Sequence, residues 1–127
     1  MGFLIDTNAI CDYYTATLPD KAWARLAVIL EAGPLVSVIT EIEVLSWKTP
    51  KPDIERKARQ LVAKSEVIDL TPDIVDKTIE LRRAKRLKTP DAIIAATAVV
   101  HGLTLVTSDA DFRGISGLKT IDLFGLG

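Results

Sequence analysis

The segment TPDAIIAATAVVHGLTLVTSDADF, residues 89–112, carries the strongest indication of the fold. It begins with a threonine and Pro90, continues through small and branched apolar residues to His101, and breaks at Gly102. A proline in the first turn and a glycine just past the last one are typical of the two ends of a helix. The apolar run Leu103–Val106 that follows predicts a buried strand. This stretch therefore predicts one helix–strand unit of an α/β fold.

The same alternation of apolar runs and longer helical stretches extends over the rest of the chain. It predicts strands at Phe3–Ile5, Leu35–Val38, Val67–Leu70, Leu103–Val106 and Lys119–Leu123. It predicts helices at roughly Thr7–Thr15, Asp20–Ala32, Thr40–Trp47, Pro52–Lys64, Pro72–Leu87 and Pro90–His101. Strands that alternate with helices are typical of a parallel sheet covered on both faces. We therefore expect an α/β fold with a mostly parallel central sheet of about five strands, flanked by helices.

The composition fits a single domain spanning residues 1–127. A chain of 127 residues with 48% hydrophobic content can fill one core. Its longest apolar stretch, residues 92–100, is much shorter than the roughly 20 residues that a transmembrane helix needs. No basic segment followed by an apolar one opens the chain, and Cys11 is its only cysteine. We expect a soluble, cytoplasmic protein with no membrane partner and no internal disulfide.

The rare residue types exclude several kinds of chemistry. Because His101 and Cys11 are the single histidine and cysteine, neither a zinc site of three or four nitrogen and sulfur ligands nor a pair of catalytic imidazoles can form. No glycine-rich phosphate-binding loop is present. The net charge of −1 gives no overall attraction to nucleic acid, so such a partner would need a local basic patch. Carboxylates are plentiful, and oxygen ligands suit Mg²⁺ or Mn²⁺.

Four acidic residues stand at the ends of otherwise apolar segments. They are Asp6, Glu43, Asp91 and Asp109. Asp6 and Asp109 follow predicted strands, whereas Glu43 and Asp91 lie in the first turns of predicted helices. Ligands of open α/β sheets bind outside the carboxyl ends of the strands. If the fold brings the four acids to that edge, they form a divalent-metal site.

Glu43 and Asp91 each have an alternative explanation at a helix start. Thr40 and Glu43 have the spacing of a capping box, in which the two side chains satisfy free backbone amides. Asp91 follows Thr89 and Pro90, which read as an N-cap and a first-turn proline. An acid at that position is stabilised by the helix dipole by about 0.3–1 kcal/mol. Either residue taken alone is therefore explained without a metal.

Asp6 and Asp109 have similar alternatives, as a cap for the following helix and as part of a polar turn over residues 108–111. What favours the metal site is the neighbouring helix, because residues 92–96 are small and apolar enough to be buried on most sides. Several carboxylates gathered at its start would raise one another's pKa values unless a cation lay between them.

Three motifs together resemble the PIN-domain ribonucleases, and most closely the VapC-type toxins of toxin–antitoxin pairs. They are FLIDTNAI at residues 3–10, VITEIEVL at 38–45 and TPDAIIAATAVVHGLTLVTSDADF at 89–112. With the order of elements between them, they cover nearly the whole chain. The resemblance implies a PIN-like three-layer α/β sandwich with the acids at one end of the sheet. The periodicity of the sequence predicts the same arrangement independently.

The resemblance also implies a metal-dependent endoribonuclease. The catalytic acids that it implies are Asp6, Glu43, Asp91 and Asp109. The implied ligands of Mg²⁺ or Mn²⁺ are Asp6, Asp91 and Asp109. Asp111 would assist, or would replace Asp109 as the outer ligand. Asn8 and Thr107 match polar positions of the family beside the acids, where they would orient a carboxylate or a water.

The partners implied by the resemblance are an RNA substrate, a VapB-type antitoxin and a second copy of the chain in a homodimer. Residues 82–88 place five cations just before Asp91. Within this basic segment, the candidates for holding the RNA backbone are Arg82, Lys85 and Arg86. The alternative is a solvated helix C-terminus, where cations complement the helix dipole.

Three other classes of protein stand as alternatives. One is a PIN fold that keeps its acids for stability and acts only by binding other proteins. Another is a receiver domain, a small parallel α/β fold that also binds magnesium through carboxylates. A receiver needs an acidic pair after the first strand, but here Thr7 and Asn8 follow Asp6. A phosphatase of the haloacid-dehalogenase type needs an aspartate where Asn8 stands. The sequence leaves open which RNA is cut and whether one or two ions bind.

Overall fold

A computed structural model of the protein describes residues 2–126. Within that range lie the strands β1 (Phe3–Ile5), β2 (Leu35–Ser37), β3 (Glu66–Ile68), β4 (Thr104–Thr107) and β5 (Lys119–Asp122). They form one sheet in the order β3-β2-β1-β4-β5, and every pairing is parallel. The predicted parallel sheet is confirmed. Receiver domains have the order β2-β1-β3-β4-β5, so the strand order excludes that alternative.

The helices of the same range are α1 (Thr7–Tyr14), α2 (Asp20–Glu31), α3 (Val38–Leu45), α4 (Pro52–Lys64), α5 (Pro72–Ala84) and α6 (Thr89–His101). Two short 3₁₀ helices follow, at Ala110–Phe112 and Leu123–Leu126. All the predicted helices are present, and α4 has its predicted bounds. Among residues 2–126 no helix is both long and apolar enough to span a bilayer.

Helices cover both faces of the sheet, because successive residues of a strand point to opposite sides. On one side Ile5 and Val106 lie in a core with buried residues of α1, α2 and α4. On the other side Leu4 and Leu105 lie in a core with buried residues of α5 and α6. The three-layer sandwich is therefore confirmed. The predicted burial of α6 is confirmed as well. The helix ends at Gly102, whose φ of 64° is the left-handed conformation that favours glycine.

The start of α3 differs from the prediction. The helix begins at Val38 because Ser37 is its N-cap, with the Ser37 hydroxyl accepting a hydrogen bond from the Ile39 amide at 3.1 Å. Thr40 therefore lies inside the first turn and is fully buried. The predicted capping box between Thr40 and Glu43 is wrong, and both side chains are free for contacts with other elements.

The end of α5 also differs, since the helix stops at Ala84 and not at Leu87. Leu87 is buried in the same core as Leu81. If the helix continued, the six residues from Leu81 to Leu87, at about 100° each, would place Leu87 roughly 120° around the helix axis from Leu81, and so on a different face. The chain instead leaves the helix at Lys85, whose φ of −147° and ψ of 144° are extended. Arg82 Nε donates to the Leu87 carbonyl at 3.2 Å, which satisfies an acceptor outside the helix.

The first turn of α6 is preceded by Lys88, so the prediction of Thr89 as the N-cap is wrong. Thr89 and Pro90 occupy the first two helical positions instead. The sequence Thr-Pro-Asp occurs a second time at residues 71–73, at the start of α5. There Thr71 is the N-cap, and its hydroxyl accepts from the amide at position 74 at 3.4 Å. The two aspartates of this repeated tripeptide differ in burial, because Asp73 is exposed and Asp91 is half-buried.

Candidate metal centre

The site lies where the strand order reverses. From β1 the chain continues through β2 and β3 on one side of the sheet, and returns to β4 and β5 on the other. In open α/β sheets this switch point opens a crevice outside the carboxyl ends of the strands. Asp6 directly follows β1, and Asp109 comes two residues after Thr107, the last residue of β4. The two acids predicted at strand ends therefore follow neighbouring strands.

Asp6 is buried at the bottom of this crevice, with 2% of its surface exposed. It stands at the N-cap position of α1, but its side chain makes no capping hydrogen bond. Its carboxylate instead accepts a hydrogen bond from the Thr107 hydroxyl at 2.8 Å. Burial raises the pKa of the Asp6 carboxyl to about 7, and the charges of Asp91 and Asp109 add to that rise. The capping explanation of Asp6 is therefore wrong.

Three further carboxylates meet near Asp6, while Asp6 and Glu43 themselves lie outside this closest group. Asp91, Asp109 and Asp111 each place an oxygen within 4.8 Å of the other two. The Asp111 amide donates to Asp109 Oδ1 at 2.9 Å, so Asp109 also shapes its own turn. Burial raises the pKa of Asp91, and the negative charges of Asp109, Glu43 and Asp111 raise it further. Within residues 2–126 these acids form no ion pair with a lysine or arginine.

Glu43 reaches the site from α3. Thr7, the first residue of α1, donates a hydrogen bond to Glu43 Oε1 at 2.7 Å, and its oxygen lies 3.1 Å from that of Thr40. Glu43 is exposed, yet its charge is one of those that raise the pKa of Asp91. The structure therefore brings all four predicted acids, and Asp111, to one end of the sheet. Sequence reasoning missed Thr7, although its position beside Asp6 was a usable signal.

The two predicted polar residues both contact the acids. Asn8 Nδ2 donates to Asp109 Oδ2 at 3.3 Å. Thr107 accepts a hydrogen bond from the Asp109 amide at 2.9 Å while donating to Asp6, so one hydroxyl joins two of the acids. Sequence reasoning also missed Asp12, which accepts from the Ser108 hydroxyl at 2.6 Å. This bond ties α1 to the loop that carries Asp109.

A groove of about 380 Å³ leads from the acids to the basic segment. Asp91, Ala110 and Asp111 lie on one part of its wall, and the rest is lined by Lys85, Arg86, Leu87 and Lys88. Arg86 and Lys88 are exposed. Arg82 lies outside this groove. A larger groove of about 540 Å³ between α5 and α6 is mainly apolar and contains none of the acids.

The Thr107 hydroxyl gives a first prediction about stability. Thr107→Val keeps the shape of the side chain but removes the hydroxyl that donates to the buried Asp6 carboxylate and accepts from the Asp109 amide. We therefore expect a loss of about 1–3 kcal/mol in unfolding free energy at pH 8. Urea unfolding measures it. Thr97→Val is the control, because Thr97 is equally buried and donates only to a carbonyl of its own helix at 2.7 Å. Equal losses in the two variants would contradict the special role of Thr107.

Comparison with known proteins adds a family match. The model of the family described as PIN domain matches residues 3–118. No curated protein matches this chain. Since the match spans most of the sequence, the resemblance found in the three motifs extends to the elements between them.

Solved structures share the fold over almost their full length. A toxin–antitoxin complex from Klebsiella pneumoniae is 33% identical, with a TM-score of 0.72 over 94% of this chain and 96% of that chain. VapBC2 from Rickettsia felis, bound to a promoter DNA fragment, is 22% identical with a TM-score of 0.78 over 96% and 98%. VapBC-5 from Mycobacterium tuberculosis is 22% identical with a TM-score of 0.65 over 95% and 98%. The chain belongs to the PIN-domain family, and its resemblance to the VapC-type members of that family is confirmed.

Proposed function

We propose that this PIN-domain protein is a Mg²⁺- or Mn²⁺-dependent endoribonuclease, a VapC-type toxin that acts in the cytoplasm and is neutralised by a VapB-type antitoxin. The observation that carries the proposal is the meeting of Asp91, Asp109 and Asp111 within 4.8 Å of one another, beside the buried Asp6 at the switch point of the sheet. Glu43, which Thr7 holds, completes the acidic group.

The residues present fit a hard divalent cation. Every donor is a carboxylate oxygen, the ligand type that Mg²⁺ and Mn²⁺ prefer. Burial is the largest cause of the raised pKa values of Asp6 and Asp91, and the charges of neighbouring acids add to it, while Lys88 opposes the rise at Asp91. Among the described residues none of these acids forms an ion pair, so a cation would relieve this repulsion. Asp6, Asp91 and Asp109 would hold the ion, with Asp111 assisting or taking the place of Asp109 as the outer ligand.

The reaction is hydrolysis of an RNA phosphodiester. When bound, the cation would polarise the phosphate and lower the pKa of the attacking water. The chain itself supplies the orientation. Thr107 fixes the Asp6 carboxylate, Asn8 fixes that of Asp109, and Thr7 fixes one oxygen of Glu43 while leaving the other to orient a water. This chemistry needs neither histidine nor cysteine.

The basic segment is the proposed contact for the RNA backbone. Arg86 and Lys88 line the groove that opens onto Asp91 and are exposed, as a phosphate contact requires. Arg82 and Lys85 are the other two candidates for an RNA contact. Each already donates a hydrogen bond to a backbone carbonyl of the protein. Phosphate contacts release counterions, so their number sets how steeply affinity falls with salt.

Arg86 tests this contact. Arg86→Gln should weaken binding of single-stranded RNA in EDTA and reduce the slope of log affinity against log salt by about 0.7, the value for one lost phosphate contact. Fluorescence anisotropy at several salt concentrations measures the slope. Arg25→Gln is the matched control, since Arg25 is an exposed arginine on α2, in the opposite helical layer. An unchanged slope for Arg86→Gln would remove this residue from the RNA interface.

The proposed partners are an antitoxin of the VapB type and a second copy of the chain. Support for the antitoxin comes from the neighbouring structures, which are VapBC and other toxin–antitoxin complexes. The homodimer rests on the family resemblance. Sedimentation of the purified protein tests it, with an expected mass of twice 13.8 kDa. A mass of one chain at micromolar concentration would contradict the homodimer.

Incubation of total cellular RNA with the purified protein tests the proposed reaction. We expect discrete cuts with Mg²⁺ or Mn²⁺ and none with EDTA, and the positions of the cuts would identify the RNA target. The rival function is a silent PIN fold that only binds proteins. In that case metal would raise the melting temperature without any cleavage, because a ligand of the native state stabilises it.

A further inference from the structure

Lys85 reaches from the end of α5 to the loop that carries two of the acids. Its ammonium donates to the backbone carbonyl of Asp111 at 3.3 Å and also to that of Arg113. These carbonyls lie 26 and 28 residues further along the chain. The side chain is therefore a direct link between the basic segment and the turn after β4.

The loop at residues 109–113 has little regular structure of its own. Asp109 accepts from the Asp111 amide, and a 3₁₀ helix of three residues closes with the Arg113 amide on the Ala110 carbonyl at 3.0 Å. Such short 3₁₀ turns have poor hydrogen-bond geometry and depend on tertiary contacts. Phe112, which is 1% exposed, anchors one side of the loop in the core. Arg113 anchors the other side, since its Nε donates to Asp122 Oδ2 at 2.9 Å. Asp111 is exposed, and neither of these side-chain contacts bonds its backbone carbonyl.

Two backbone features direct Lys85 to this loop. The early end of α5 leaves Lys85 in an extended conformation, which turns its side chain away from the path of the helix. Gly114 has a φ of 73°, so the chain turns back just after Arg113. The Cβ of a larger residue at Gly114 would lie 3.9 Å from Lys85 Nζ, which shows how closely the ammonium packs over the turn.

We propose that Lys85 is a positioning residue of the metal centre. By bonding the carbonyls on either side of Phe112, it fixes the turn that sets the distance between the Asp109 and Asp111 carboxylates. The proposal deepens the function proposed above and rests on it for the identity of the ion. It gives Lys85 a role beyond phosphate contact, because the groups that it bonds belong to the protein.

Hydrogen exchange of the metal-free protein tests the link without RNA or metal. Lys85→Met removes the ammonium and keeps the apolar stem, so exchange of the Asp111 and Arg113 amides should rise about tenfold or more. Lys85→Arg, which keeps donors and charge, should restore most of the protection. Lys88→Met is the matched control, since Lys88 lines the same groove but makes no hydrogen bond to the loop among the described residues. Unchanged exchange in Lys85→Met would overturn the proposal.

Manganese affinity, measured by electron paramagnetic resonance, separates positioning from simple charge. Loss of a nearby positive charge by itself strengthens binding of a cation. If Lys85 positions the ligands, Lys85→Met should bind Mn²⁺ several-fold more weakly in spite of that effect. Equal or tighter binding would overturn the proposal even if exchange rises. If the wild-type protein binds no Mn²⁺, the proposed function fails instead, and the exchange experiment still decides whether Lys85 holds the loop.

Discussion

Asp91→Asn is expected to slow RNA cleavage on the order of 100-fold or more, because the amide cannot supply the negative oxygen that an ion at this site requires. The protein should stay folded. Asp91 lies in the first turn of α6, and its pKa is raised because its charge is unfavourable in the folded chain. Loss of that charge forfeits the helix-dipole interaction, about 0.3–1 kcal/mol, and the attraction of Lys88. Initial rates on a defined RNA measure the effect.

The chain supplies its own control for this experiment. Asp73 follows Thr and Pro in the first turn of α5, as Asp91 does in α6, but it is exposed and lies outside the acidic group. If these aspartates serve only the helix dipole, Asp73→Asn and Asp91→Asn should have the same small effects. We expect Asp73→Asn to cleave RNA at the wild-type rate. Full activity of Asp91→Asn would contradict the assignment of Asp91 to the metal centre.

Asp6→Asn is expected to change how the stability of the metal-free protein depends on pH. The pKa of Asp6 is about 7 in the folded protein and about 3.9 when unfolded. A folded-state pKa above the unfolded one favours the folded state at low pH, and that advantage is lost as pH rises from about 4 through about 7. A difference of about three pKa units corresponds to as much as about 4 kcal/mol. The asparagine variant does not titrate and should lack this fall.

Urea unfolding in EDTA between pH 4.5 and 8 measures this difference. The quantity to compare is the slope of unfolding free energy against pH in the wild type and in Asp6→Asn, since the two proteins share all other titrating groups. Parallel profiles would show that Asp6 is not a buried, pKa-shifted acid. Addition of Mn²⁺ at pH 8 should then stabilise the wild type, by about 2.7 kcal/mol at 100 times the dissociation constant. The variant should gain much less, because it lacks one of the proposed ligands.

The sequence predicts best those helices and strands whose ends carry a residue that starts or stops the element, such as proline or glycine. α6 is bounded by Pro90 and Gly102, and its small apolar residues predicted a buried helix that the structure confirms. The start of α3 could not be predicted in this way, because Ser37 and Thr40 are both good N-caps. In the structure Ser37 is the N-cap, and Thr40 instead contacts Thr7, 33 residues earlier in the chain.

The site was predictable as a list of acids but not as a geometry. The ends of β1 and β4 carry Asp6 and Asp109, and the parallel order of the strands brings such ends together. The hydrogen bond from Thr7 to Glu43 joins residues that lie 36 positions apart in the sequence, so no local sequence pattern predicts it. Mutual repulsion was expected to raise the pKa values of the acids. For Asp6 and Asp91 burial is the larger cause, and burial depends on the finished fold.

Anomalous scattering from crystals of the protein soaked in Mn²⁺ would locate the ion. We predict a manganese peak among the carboxylates of Asp91, Asp109 and Asp111, within reach of Asp6, and its absence in crystals of Asp91→Asn. One peak or two would also settle how many ions bind. A wild-type map with no peak at this group, or with manganese only at other acids, would contradict the account of these residues as a metal centre.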